Sequence, residues 1–267
     1  MKPIRVYQCE DSVEGILSAV YDAGLSRYGH DYIRLEALSA NISRDRDLFS
    51  EYIDVAADPR KRDKVMDSIA QKISVQVLEH VLRICTSSQE DKADVIYHYV
   101  VYGFAMGSRV SGAMQIPCVA RALEIDRRIA NEVYHFLGFL RFGEVQKNPS
   151  ILLAGFAPEN DILGQVTKHF ADRFHREYFI IYDTGRKKAT FHSRDGNWFM
   201  RELSDREARQ LDEMSRVREE YEDLWKAFFD AIRIKERENP KLQQNNIPLR
   251  YREYMPEFMG SPSRPES

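Results

Sequence analysis

The sequence predicts an α+β protein: an N-terminal β-α-β unit, a helical middle, a small antiparallel sheet and a long bracing C-terminal helix. Three observations predict it. Two short stretches of strand character, 4–9 and 32–38, flank a helical repeat. From residue 59 to residue 140 the apolar positions recur every three or four residues instead. Beyond 140, short strand-like runs return between turn residues, and one long helical stripe follows at 204–237. No Gly/Ser/Pro-rich linker separates these parts, so residues 1–260 read as one α+β domain with a soft division near 107–117. Residues 261–267 read as a disordered tail.

The first strand passes into a helix at Asp11, with Glu14 three residues later in a capping-box-like spacing. Val13, Ile16, Leu17, Val20 and Tyr21 give that helix one buried stripe. Residues 52–55 form a further short strand. Pro59 suits a first helical turn, Val65, Ile69, Ile73 and Val77 follow at spacings of four, and Ser74 divides the run in two. A helix over 91–106 precedes a connection at 107–115 that carries Gly and Ser. The helix opened by Pro117 has Ala122, Ile125, Ile129, Val133, Phe136 and Leu140 on its core face, and Arg127, Asn131, His135 and Gly138 on the other. Strands are expected at 140–145, 151–156, 178–182, 188–192 and 198–202, interrupted by a helix at 161–174. Asp183-Thr184-Gly185-Arg186 and Asp195-Gly196 supply turns. Leu211, Met214, Val217, Tyr221, Leu224, Trp225, Phe228 and Ile232 line the last helix, which at about 1.5 Å per residue spans roughly 50 Å.

Composition narrows the function by exclusion. The formal net charge of −3 over 267 residues rules out a basic nucleic-acid coat or a polybasic membrane anchor. Three scattered cysteines, Cys9, Cys85 and Cys118, form no C-x-x-C pair, so the chain alone is expected to hold no metal and no cofactor. The N-terminus has no apolar signal segment, and no apolar run reaches the roughly 20 residues that span a bilayer; the expected location is the cytoplasm. H-E-x-x-H, G-x-S-x-G and P-loop motifs are absent. Glu132-x-x-His135 has the spacing of a di-iron half-site, but no second copy follows.

What remains is local. Residues 165–201 carry eight Lys/Arg against four acids, together with His169, His175 and His192. Two phrases set arginine beside aromatic rings at the junctions of elements: IDRRIANEVYHFLGFLRF, ending in Arg141-Phe142, and HFADRFHREYFIIYDTGRKKATF, with Arg173-Phe174 and Arg186. Guanidinium groups next to rings hold phosphates and stack on bases; the plain alternative is a solvated surface. Arg141, Phe142, His169, Arg173, Arg186, Lys187 and Lys188 are therefore the candidate nucleic-acid-binding residues. His169 and Arg173 share a helix face suited to binding an anion or to serving as acid and clamp in phosphate chemistry, and His169 with Asp183 is a further candidate pair for chemistry around a nucleotide. A turn-stabilising Asp183 is the structural alternative.

The phrases EVYHFLGFLRFGEV, KHFADRFHREYFIIYDTGRKKA and IPLRYREYMPEF resemble a bacterial family of probable DNA metabolism proteins, and the likeness covers most of the chain. The resemblance implies DNA repair or modification beside a radical-S-adenosylmethionine partner; other members look like fusions ahead of a uracil-DNA glycosylase-like domain. The chain is expected to resemble the free-standing form, and it lacks the cysteine triplet of a radical-S-adenosylmethionine cluster, so such chemistry is expected in the partner. Three functions follow as expectations: an accessory protein that binds nucleic acid through an Arg/aromatic surface, a protein-interaction adaptor with no nucleic-acid contact of its own, or a nucleotide-directed enzyme using His169 and Asp183.

Overall fold

A computed structural model of the chain describes residues 2–38, 47–145, 150–215 and 247–255. The chain divides into two compact units, Met1–Ala130 with Glu159–Asp161, and Asn131–Pro158 with Ile162–Ser267.

The first unit opens with strand β1 (Ile4–Glu10), helix α1 (Val13–Leu25), strand β2 (Ile33–Leu38) and strand β3 (Ser50–Val55). The three strands form a parallel sheet in the order β2-β1-β3, so the expected β-α-β start is present and is extended by one strand. Val6, Tyr7, Gln8 and Cys9 are all buried, because a central parallel strand is covered on both faces. Helix α1 buries Ile16, Leu17, Ala19, Val20 and Ala23. Its N-cap is Ser12, one residue later than the spacing of Asp11 and Glu14 suggests; the Ser12 hydroxyl accepts from the Gly15 amide at 3.0 Å. Glu14 instead pairs with Arg62 at 3.1 Å. Glycine is required at position 15, since a Cβ there would stand 2.3 Å from the carbonyl oxygen of Glu10.

Helices α2 (Pro59–Lys72), α3 (Val75–Cys85), α4 (Lys92–Met106) and α5 (Pro117–Phe139) make the helical middle. The break at Ser74 is a cap: its hydroxyl accepts from the Val77 amide at 3.1 Å and starts α3. Helix α4 stops at Gly107, whose φ of 64° a residue with a Cβ disfavours, and a 3-10 turn, Gly107–Gly112, follows. Arg83 of α3 grips both carboxylate oxygens of Asp126 on α5, at 2.9 and 3.1 Å.

The second unit holds the C-terminal turns of α5, strands β4 (Gly143–Val145) and β5 (Ile151–Phe156), helix α6 (Leu163–Arg173), strands β6 (Phe179–Asp183), β7 (Lys188–His192) and β8 (Trp198–Glu202), and helix α7 (Asp205–Ser215). Its sheet, in the order β4-β5-β6-β7-β8, corrects the antiparallel expectation. β5 and β6 run parallel, and the other pairs are antiparallel. The cause is α6: a helical crossover returns the chain in the direction it left, whereas the turns at 184–187 and 193–197 reverse it. α6 is tied to the sheet by a buried contact between the Thr167 and Thr190 hydroxyls, at 2.7 Å. α7 is the described part of the expected C-terminal helix; the rest of the 204–237 expectation, and the tail at 261–267, lie outside the described residues. Among the described residues no helix is long and apolar enough to cross a membrane.

The 3-10 segment Leu249–Tyr254 also belongs to this unit. Tyr251 is only 1 % exposed and packs against His135, Phe136 and Phe139, with ring centroids at 4.8, 5.0 and 5.6 Å.

Replacing Gly15 by Ala should destabilise the protein by about 1–3 kcal/mol, the usual cost of forcing a group into filled space. Urea denaturation measures this, and an unchanged midpoint would show that the turn from β1 into α1 opens freely.

Candidate nucleic-acid interface

The parallel crossover decides which candidate residues meet. α6 ends at Arg173 and the chain enters β6 at Phe179 after five residues, so the end of α6 and the start of β6 share one edge of the sheet. At that edge Phe142 presents its ring edge-on to Phe170, Phe174 and Phe179, with centroids at 4.9, 5.3 and 5.9 Å. Phe170 and Phe174 stack nearly parallel, 5.8 Å apart. Phe170 and Phe179 are buried, while Phe142 and Phe174 are half-buried and keep some surface in solvent.

Around this cluster stand the basic groups. Arg141, exposed, donates to the carbonyl of Gly138 at 2.8 Å, which fastens it to the C-terminal end of α5. His169 is exposed on α6 with its ring edge on Phe170, and the Arg173 guanidinium sits 5.7 Å from the centre of the Phe174 ring. Lys168, His175 and Arg176 are exposed beside them. Among the described residues Lys168, Arg173 and Arg176 make no ion pair, although Asp172 stands among them in sequence. Residues 168–176 thus form a short basic ridge in which His169 and Arg173 touch rings of a partly open aromatic cluster. Arg141 and Phe142 meet the same cluster through the Phe142 ring, while Lys168 and Arg176 are exposed next to these residues in sequence.

Arg186, Lys187 and Lys188 do not meet that cluster. Asp183 closes β6 four residues beyond Phe179, about 13 Å along the strand. Its carboxylate is fully buried; one oxygen accepts from the Gly185 and Arg186 amides, both at 3.0 Å, and the other from the Arg186 guanidinium at 3.1 Å. That guanidinium also donates to the Pro158 carbonyl at 2.9 Å. Lys187 has the left-handed φ of 52° and pairs with Asp205 at 2.6 Å, and Lys188 is half-buried in β7 opposite Asp183. These residues fold the turn between β6 and β7. Asp183 has its oxygens turned into the loop and His169 faces solvent on α6, so the structure does not assemble that pair. Sequence marks Asp183 and Arg186 as a turn, yet it cannot say that the arginine folds inward to the aspartate rather than outward to a ligand.

Burial pushes the Cys9 and Cys85 thiols up to about 12, so neither is a thiolate near neutral pH. Among the described residues no three His, Cys, Asp or Glu side chains converge on a metal position. Glu132 is buried, and His135 is half-buried between the Phe139 and Tyr251 rings; its buried Nδ1 has no hydrogen-bond partner among the described residues, and desolvation, then the nearby Arg250 charge, lower its pKa.

A family model described as a domain of unknown function, DUF4130, matches residues 90–257, and the chain belongs to that family. No curated protein matches the chain.

Asp183→Ala should lower stability by about 1–3 kcal/mol, because it removes the buried acceptor of the Gly185 and Arg186 amides and of the half-buried Arg186 guanidinium. Thermal and urea denaturation measure this; wild-type stability in the variant would mean that the turn does not depend on the carboxylate.

Proposed function

We propose that this chain is a nucleic-acid-binding accessory protein of DNA repair or modification, working beside a radical-S-adenosylmethionine partner that supplies the chemistry. The observation that carries the reading is the basic ridge at 168–176: among the described residues Lys168, Arg173 and Arg176 are exposed and make no ion pair, Arg173 lies by the Phe174 ring of an aromatic cluster, and His169 and Phe142 touch the same cluster. Unpaired cations on one edge neutralise phosphates at little desolvation cost, and a half-exposed ring among them offers an unstacked base a surface. Phe174, flanked by Arg173, is better placed for this than Phe142, which three rings surround. The DNA setting and the partner rest on the resemblance of the Arg/aromatic phrases to DNA metabolism proteins.

A second reading, the protein-interaction adaptor, is favoured by β8. It is the last strand in the order of its sheet, and Trp198, Phe199 and Met200 are 38, 59 and 39 % exposed in succession. Open strand edges with apolar residues pair readily with another chain.

Fluorescence anisotropy with labelled single-stranded and duplex DNA at several salt concentrations separates the two. The accessory reading expects binding that weakens with salt. Arg173→Ala and Arg176→Ala should each shallow the slope of log affinity against log salt by about 0.7–0.9, whereas Lys187→Ala should leave it unchanged. Absence of binding to either DNA would leave the adaptor as the better account.

A further inference from the structure

Far from the ridge in sequence, the first unit contains a cleft of about 310 Å³ between α1, α2 and α4. That volume is at the small end of the range for ligand sites. Val20, Val65, Val100 and Phe104 give it an apolar wall. Phe104 is 48 % exposed, so part of its side chain is open to solvent at the cleft.

The polar side chains of the cleft are Lys64, His30 and the hydroxyl-bearing Tyr21, Ser68 and Tyr97. Lys64 is exposed at its rim, and among the described residues its ammonium meets the Tyr21 hydroxyl, 3.5 Å away, and the Tyr21 ring face at 5.4 Å, with no carboxylate partner. His30 Nδ1 lies 2.8 Å from the hydroxyl of Tyr97, a residue that is itself only 1 % exposed. Among the described residues no carboxylate lines the cleft. Its one formal charge is therefore positive, with no internal anion to answer it.

Gly24 supplies a further observation. It lies within α1, where glycine weakens a helix, and it lines the cleft. A Cβ at this position would meet nothing within 4 Å. Packing does not demand a glycine here, unlike Gly15; its effect is to leave the cleft open.

We propose that this cleft binds a small amphiphilic carboxylate, its aromatic ring or short alkyl chain on Val20, Val65, Val100 and Phe104 and its carboxylate toward Lys64 and the His30–Tyr97 pair. Shape selects a compact apolar body, and the single unanswered cation selects an anionic head. The site is independent of nucleic-acid binding and tests separately from it.

The test titrates the full chain with 1-naphthoate, following the probe's fluorescence, and repeats the titration with neutral 1-naphthalenemethanol. The expected result is saturable binding at one site, with naphthoate preferred over the alcohol. Gly24→Leu places a side chain in the open space and should weaken naphthoate by about tenfold or more. Lys64→Met should weaken it by about two- to fivefold and remove the preference over the alcohol. Both positions are exposed, and circular dichroism checks that each variant is folded. Failure of naphthoate to saturate, wild-type affinity in Gly24→Leu, or equal affinity of the wild type for acid and alcohol would each overturn the proposal.

Discussion

The parallel pairing of β5 with β6 is the constraint on which the second unit depends. Two parallel neighbours need a crossover, and α6 provides it. Once the crossover exists, the end of α6 and the start of β6 must share an edge of the sheet, and Phe142, Phe170, Phe174 and Phe179 meet there. The basic residues of the 168–176 segment are carried to the same end of the sheet, and Lys168, Arg173 and Arg176 make no ion pair among the described residues. At the opposite edge the chain must reverse into β7, and there a buried aspartate and an inward-turned arginine hold the loop. One topological choice thus sorts a run of basic residues into solvated cations at one end and fastened ones at the other.

The first unit rests on a different economy of space. Its sheet is parallel throughout, so β1 is covered on both faces and α1 must approach closely. Gly15 permits that approach, since any side chain would strike the preceding turn. Nine residues along the same helix Gly24 faces open space, and the two glycines mark opposite conditions: closest packing at one end of α1 and a gap near the other. α5 belongs to both units in sequence, and its charged residues include the buried Asp126, gripped by Arg83.

Much of this architecture was legible in the sequence, because hydrophobic period reports which faces are buried. The break at Ser74, the stop at Gly107 and the strands of both sheets follow from pattern and turn chemistry alone. Sheet direction did not follow: strands 151–156 and 178–182 look the same whether parallel or antiparallel, and only the crossover helix between them argues for the former. The candidate site was legible as composition and not as geometry. Arg173 and Arg186 occupy the same arginine-aromatic phrase, yet one is solvated while the other is committed to Asp183. Side-chain direction at a turn depends on which buried acceptor needs a donor, and a single sequence does not show that. The glycine-lined cleft was invisible, since nothing in the periodicity of α1 separates Gly24 from Gly15.

The central claim is that nucleic acid contacts the edge formed by the end of α6 and the start of β6. Photo-crosslinking to single-stranded DNA bearing 5-iodouracil, with the linked peptides mapped by mass spectrometry, tests it most directly. The account predicts linkage within residues 168–178, at Phe174 first, because that ring is half-exposed among the cations. Linkage confined to 186–188 or to the β8 aromatics, or no linkage at all, would contradict it.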